Sequence, residues 1–223
     1  MTPTEMAKLL DHSVLKPEAT ESEILAGAAL VRRYAIGFYC IQPCWVRVTA
    51  RDLAGSDARI VAVVGFPQGC EQPATKAQAA ALAVSDGARE IDMVMNFGML
   101  KSGAAVIAAK DIVEVVRAVP GIPVKVIIEA RVLTNDEKRL ACRLVLDSGA
   151  AFVKTSTGFH PAGGATAEDV RLMRAAVGPH FGVKAAGGIR TLDDARAMLR
   201  AGANRLGVSA SAAILDELVR QPV

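Results

Sequence analysis

Aromatic residues are scarce in this chain: one Trp, two Tyr and six Phe account for 4% of 223 residues. A core without large rings has to come from Ala, Val, Leu and Ile, which favours helices packed closely on buried strands over an all-β sandwich. Cysteine is rarer still. Of Cys40, Cys44, Cys70 and Cys142 only the first two are close, and they bracket Gln42-Pro43 with no second Cys or His pair downstream. That spacing does not fit a zinc site, and reduced, buried thiols are the expectation. His12, His160 and His180 have no metal-ligand spacing either and read as structural or exposed groups. No apolar run reaches the roughly 18 residues of a membrane span. The polar opening, Met1 to Lys8, lacks the apolar region of a signal peptide, so a cytoplasmic location is expected. The charge excess is small, +3, and Lys and Arg are scattered, so neither nucleic acid nor a membrane surface is an expected partner.

What the chain has is apolar bulk and repetition. Hydrophobic residues make up 52% and charged residues 22%, which excludes disorder. No linker or low-complexity segment interrupts it, so residues 1–223 read as a single domain. A join recurs in which a helical stretch ends in Gly-Ala and a short strand follows. It occurs at Gly87-Ala88, Gly149-Ala150 and Gly202-Ala203, and Gly37 precedes Phe38 in a similar way. Glycine takes the left-handed position that closes a helix. Helix starts repeat as well. Thr20-x-x-Glu23, Thr75-x-x-Gln78 and Thr134-x-x-Glu137 fit a capping box, and Thr166-x-x-Asp169 and Thr191-x-x-Asp194 are looser versions.

Eight strands follow, near Leu9–Ser13, Phe38–Ile41, Ile60–Gly65, Glu90–Asn96, Val124–Glu129, Phe152–Thr155, Gly182–Ala185 and Arg205–Ser209. The intervening helices begin near Glu18, Pro43, Thr75, Lys101, Thr134, Thr166 and Thr191, with a last one from about Ser211. Strand, capped helix and glycine join repeated over about 220 residues is the arithmetic of an α/β fold, the (β/α)8 TIM barrel. An open doubly wound sheet is the alternative. It would normally carry a glycine-rich loop after its first strand, and Val14-Leu15-Lys16-Pro17 has no glycine.

Barrel chemistry sits at the C-terminal strand ends. That filter selects Asp11, Asp92, Asn96, Lys125, Glu129, Lys154, Thr155, Lys184 and Ser209. Strands of a parallel barrel are buried on both faces and normally apolar, yet Lys125, Lys154 and Lys184 each interrupt one. Side-chain alternation puts Lys125 with Ile127 and Glu129 on the inward face, and Asp92 with Glu90, Val94 and Asn96. Two readings stand. In one the lysines are structural ion pairs, with Asp92 and Glu129 neutralising two of them. In the other one lysine is a nucleophile. An amine must be neutral to attack a carbonyl, and lowering its pKa from about 10.4 to about 7 takes roughly 4 kcal/mol. Desolvation and a second nearby cation both act in that direction. Lys154 and Lys184, on neighbouring strands, therefore suggest Schiff-base chemistry. Gly187-Gly188 after strand seven and Gly207–Ser211 after strand eight sit where barrel enzymes hold phosphate with backbone N–H groups.

Four segments carry a family resemblance: Glu90–Val94, Val124–Glu129, Phe152–Phe159 and Val183–Thr191. With Leu10-Asp11-His12-Ser13, Leu15-Lys16-Pro17 and Gly65-Phe66-Pro67, they are similar to the signature segments of the deoxyribose-phosphate aldolases, from about Leu9 to Leu215. The resemblance implies a (β/α)8 class I aldolase, needing no cofactor and no metal, that exchanges 2-deoxy-D-ribose 5-phosphate with acetaldehyde and D-glyceraldehyde 3-phosphate. It implies Lys154 as nucleophile, Lys184 as the group lowering its pKa, Asp92 as acid/base through water, and Asp11 and Lys125 as a supporting network. Thr157, Gly158, Gly187, Gly188 and Ser209 match its substrate- and phosphate-binding loops. A homo-oligomer, dimer or tetramer, is the family expectation. The chain departs from the pattern at Gln42, where Asn is usual, at His160-Pro161, which lengthens a loop, and at Ala210, where Ser is frequent. Ser211 is the expected substitute hydroxyl. The end, Gln221-Pro222-Val223, lacks a tyrosine that some members carry. Other Schiff-base barrel aldolases, phosphosugar isomerases and non-catalytic phosphate binders are the competing classes, and fold alone does not choose among them.

Overall fold

The computed structural model describes residues 1–220, so the Gln221-Pro222-Val223 end lies outside the described residues. The strands are β1 (Leu10–Val14), β2 (Phe38–Ile41), β3 (Arg59–Val64), β4 (Glu90–Val94), β5 (Val124–Ile127), β6 (Phe152–Lys154), β7 (Gly182–Ala186) and β8 (Arg205–Val208). Each runs parallel to the next, and β8 pairs with β1 to close the barrel. The helices are α1 (Pro3–Ala7), α2 (Glu21–Arg33), α3 (Val46–Asp52), α4 (Pro73–Asp86) and α5 (Phe97–Lys101), then α6 (Ala105–Ala118), α7 (Asn135–Asp147), α8 (Ala167–Val177), α9 (Leu192–Arg200) and α10 (Ser211–Arg220). Outward-facing aliphatics of the strands, such as Leu10, Ile91, Val126 and Leu206, pack under this ring as the main core. A smaller apolar cluster, Leu15, Cys40, Val61 and Val63 with Phe38 and Phe66, is separate from it.

The capping boxes at Thr20, Thr134 and Thr191 form, and the Thr166 hydroxyl accepts from the N–H of Asp169. Thr75 does not cap. Pro73 starts α4 two residues earlier, with Gln72 as an N-cap that makes no side-chain bond. Proline at the first helical position lacks only an N–H that would be unpaired anyway, so it sets the boundary. The helix expected at Lys101 is split. Lys101 ends the short α5, and α6 begins at Ala105. Asn96, a site candidate by sequence, is the N-cap of α5, its Oδ1 accepting from Met99 N–H at 3.0 Å. The three Gly-Ala joins hold, with Gly87, Gly149 and Gly202 at φ 122°, 83° and 110°. Before β2 the left-handed residue is Ala35 (φ 50°) rather than Gly37, which is glycine because a Cβ would lie 3.1 Å from the Lys8 carbonyl oxygen.

Candidate active site

Strand register brings the charged side chains together. Asp92 stands beside Lys125, Ile127 beside Lys154, Lys154 beside Lys184, and Lys184 beside Arg205. Asp92 lies at the centre. Its Oδ2 accepts from Lys154 Nζ and from Lys184 Nζ, each at 2.7 Å, and its Oδ1 accepts from Lys125 Nζ at 2.9 Å. Asp11 pairs through Oδ2 with Lys184 and through Oδ1 with Arg205 at 3.1 Å. Lys125 also meets Glu90 at 2.5 Å and Asp11 at 3.8 Å. The Arg205 guanidinium stacks 3.3 Å from the centroid of Phe38. Room for Lys184 comes from Gly207 on β8, where a Cβ would lie 3.1 Å from Lys184 Cε.

Three carboxylates thus face four cations in a dry interior: Asp11, Glu90 and Asp92 against Lys125, Lys154, Lys184 and Arg205. One cation can lose its proton and leave the cluster neutral, and the balance of forces falls on Lys154. Burial lowers its pKa first and the Lys184 charge lowers it further, together outweighing the attraction of Asp92. Lys184 goes the other way. Burial disfavours its charge, but Asp11 and Asp92 overcome that and hold it protonated. Burial alone would raise both acids, yet the surrounding ammonium groups bring Asp11 below and Asp92 well below the usual carboxylate range. Cys40, wholly buried near the same charges, has its thiol pushed up to about 11, chiefly by burial and then by Asp92.

Lys154 is the member of this cluster that reaches a cavity of about 750 Å³ at the barrel mouth, walled by the loops after β1, β6, β7 and β8. Thr157, Gly158, Gly187, Gly188 and Ser209 all line it, whereas Asp11, Asp92, Lys125 and Lys184 lie fully buried beneath. The loops after β6 and β7 touch through glycines. A Cβ on Gly187 (φ 87°) would sit 2.9 Å from Gly164 Cα and 3.1 Å from Gly158 Cα, so only glycine allows this approach.

Several sequence expectations change. Glu129 does not neutralise a lysine: β5 ends at Ile127, Glu129 turns left-handed (φ 51°), and its carboxylate accepts from Thr157. The Thr157 hydroxyl and N–H are therefore engaged by Glu129, although the residue lines the cavity. Ser211 cannot replace the hydroxyl absent at Ala210, since it is fully buried with Oγ 3.0 Å from Nδ1 of His12. Gln42 donates from Nε2 to the Leu15 carbonyl at 3.0 Å, tying β2 to the loop after β1. In the lengthened loop His160 Nδ1 accepts from Ala162 N–H. Cys44 and Cys70 are exposed, and only Cys40 and Cys142 are buried. Sequence reasoning put Glu90 on the inward face beside Asp92 without naming it as a site residue, and missed Arg205. The available signal was a charged residue on the inward alternation of β4 and of β8.

Residues 5–216 match the family model described as DeoC/LacD family aldolase. The chain belongs to the DeoC/LacD family of aldolases. Among curated relatives, the deoxyribose-phosphate aldolase of Thermoanaerobacter sp. (strain X514) is 51% identical over 215 residues, covering 95% of this chain and 96% of the relative. That of Bacillus mycoides (strain KBAB4) is 50% identical over 211 residues, covering 94% of each. Among solved structures, the aldolase QR15 superposes with a TM-score of 0.92 at 34% identity, covering 96% of both chains. The deoxyribose phosphate aldolase of Aeropyrum pernix, described as a unique tetrameric structure, gives 0.90 at 26% identity over 98% of this chain and 93% of its own.

Proposed function

We propose that this chain reversibly cleaves 2-deoxy-D-ribose 5-phosphate to acetaldehyde and D-glyceraldehyde 3-phosphate, with Lys154 as the Schiff-base nucleophile. One observation carries the assignment to Lys154. Of three buried lysines on one carboxylate, it alone faces the cavity, and burial lowers its pKa. Neutral Lys154 attacks the C1 aldehyde of the open-chain sugar, and loss of water gives an iminium. That cation accepts the electron pair of the C2–C3 bond as the C3 hydroxyl gives up its proton, releasing D-glyceraldehyde 3-phosphate. The enamine takes a proton at C2, and hydrolysis of the iminium frees acetaldehyde and Lys154. Asp92, 2.7 Å from Lys154 Nζ, is the acid/base, acting through water. Lys184 keeps Lys154 neutral, and Asp11 and Lys125 hold Asp92 and Lys184 in place. The phosphate lies against Gly158, Gly187, Gly188 and Ser209 of the cavity wall, where glycine lets backbone N–H groups approach an anion closely.

The same reading takes small-molecule sugar phosphates and aldehydes as the partners, needs no metal or organic cofactor, and places the enzyme in the cytoplasm as a dimer or tetramer. The tetrameric Aeropyrum pernix relative supports the last of these. Among the described residues no helix is long and apolar enough to cross a membrane. The test is to supply 2-deoxy-D-ribose 5-phosphate with a chelator present and follow both products by NMR. Acetaldehyde and D-glyceraldehyde 3-phosphate in equal amounts, absent with Lys154→Ala, are expected; an isomerised sugar phosphate as sole product would overturn the reading.

A further inference from the structure

Glu129 is a buried, strained carboxylate that the proposed chemistry does not use. It is 1% exposed and has no ion-pair partner among the described residues. Its backbone is left-handed at φ 51°, ψ 58°, which costs a non-glycine residue of order 1 kcal/mol or more and persists only where the surroundings impose it. The cause is a bulge. Beyond the end of β5, Ile128 N–H donates to the carbonyl of Lys154 at 3.0 Å and Ala130 N–H to that of Thr155 at 2.8 Å. Ile128 and Ala130 thus bond to the consecutive residues Lys154 and Thr155, and Glu129 between them is displaced, its carboxylate reaching Thr157 in the loop after β6.

The carboxylate spends its bonds on one residue. Thr157 Oγ1 donates to Oε2 at 2.6 Å, and Thr157 N–H is shared between both carboxylate oxygens at 3.3 Å. Thr157 Oγ1 in turn accepts from Phe159 N–H at 3.1 Å, which closes a tight turn around Gly158. Gly158 abuts Gly187 of the next loop, and that loop is tied back by Ala165 N–H, which donates to the Ala186 and Gly187 carbonyls at 3.0 Å. The chain of contacts therefore runs from Glu129 through Thr157 to the two glycine loops that line the cavity.

We propose that Glu129 is the positioning residue of the phosphate-binding wall of the cavity, fixing the Thr157-Gly158-Phe159 turn so that the loops after β6 and β7 present a ready-made anion site. This rests on the aldolase reading for its substrate and goes beyond it in assigning a residue that touches neither substrate nor Lys154 Nζ. Its signature is a split between substrates: losing the carboxylate weakens the phosphorylated sugar and spares the unphosphorylated one.

The experiment compares Glu129→Gly, Glu129→Gln and Thr157→Val with the wild-type chain on 2-deoxy-D-ribose 5-phosphate and on 2-deoxy-D-ribose. Glycine adopts the left-handed conformation freely, so Glu129→Gly removes the carboxylate and not the backbone geometry. Glu129→Gly and Thr157→Val are each expected to raise KM for the phosphorylated sugar about tenfold, the size of a lost hydrogen bond to a charged group. The double variant is expected to be no worse than either single one, because both break one link. In Glu129→Gly, values for unphosphorylated deoxyribose, and borohydride trapping of acetaldehyde on Lys154, are expected to stay within about twofold, and Glu129→Gln restores the phosphorylated substrate because its amide oxygen still accepts from Thr157. Equal losses on both sugars, or loss of trapping in folded Glu129→Gly, would overturn the proposal. Two further readouts do not depend on turnover: hydrogen exchange of the Thr157 and Phe159 amides, and binding of inorganic phosphate. Faster exchange and weaker phosphate binding in Glu129→Gly support the assignment, and unchanged values refute it. A wild-type chain inert on both sugars would sink the aldolase reading while these two measurements still decide the role of Glu129.

Discussion

Replacing Lys184 by methionine tests the electrostatic argument at its most exposed point. Lys154 and Lys184 each lie 2.7 Å from the same oxygen of Asp92, so they are no more than about 5.4 Å apart. Two unit charges about 5 Å apart repel by about 3 kcal/mol at an effective dielectric constant near 20. At about 1.36 kcal/mol per pH unit this displaces the Lys154 pKa by roughly 2. The sign is set by the cluster. Without Lys184 the protonated form of Lys154 loses a repelling neighbour, and Asp92 and Asp11 lose a competing partner, so both changes favour Lys154 as a cation. In Lys184→Met the acid limb of kcat/KM is therefore expected to move up by about 2 pH units. At a fixed pH on that limb the rate falls about a hundredfold, and raising the pH recovers it. Circular dichroism confirms the fold, and the pH-rate profile is the assay. A uniform loss at every pH, with the limb unmoved, would refute the claim that Lys184 keeps Lys154 neutral.

Asp92→Asn should cost about 3–5 kcal/mol in urea unfolding, because it leaves three buried lysines short of charge. Asp86→Ala, at the exposed pair with Arg47, should cost no more than about 1. Asp11 and Asp92 both titrate below their unfolded values, so they add stability above about pH 4 that disappears as the pH falls through the lowered values. Acid unfolding of the wild-type chain should show that loss, and Asp92→Asn should show less of it. Thr134→Ala removes a formed capping box and should cost about 1 kcal/mol, while Thr75→Ala, inside α4, should stay within about 0.5. In the native protein a thiol reagent near pH 7.5 should modify exposed Cys44 and Cys70 quickly. Cys40 and Cys142, pushed up to about 11 and about 12 by burial, should react only on unfolding; fast reaction of all four would contradict the buried placement.

The barrel was legible because its signals are local. Thr-x-x-Glu marks helix starts, glycine marks the returns to the sheet, and short apolar runs after them mark the strands. Lys154, Lys184 and Asp92 were legible for a related reason, since a charge inside a short apolar strand stands out wherever that strand sits. What stayed hidden depends on closure. Arg205 meets Asp11 only because β8 returns to β1, and it meets Glu90 only across the closed interior. Glu129 was misread because alternation assumes an unbroken strand, and one bulge reverses the side to which everything beyond it points. Pro73 displaced the expected start of α4, and the short α1 and α5 fell below the length at which helical periodicity can be seen.

The central claim is that Lys154 forms a covalent bond with the substrate aldehyde. Incubation with acetaldehyde, reduction by borohydride and peptide mass mapping tests it most directly. The account predicts a mass gain of one reduced two-carbon unit on the peptide containing Lys154, with none on Lys125 or Lys184 and none in Lys154→Ala. An adduct on Lys184 instead, or no adduct in a folded protein that still converts 2-deoxy-D-ribose 5-phosphate, would contradict it.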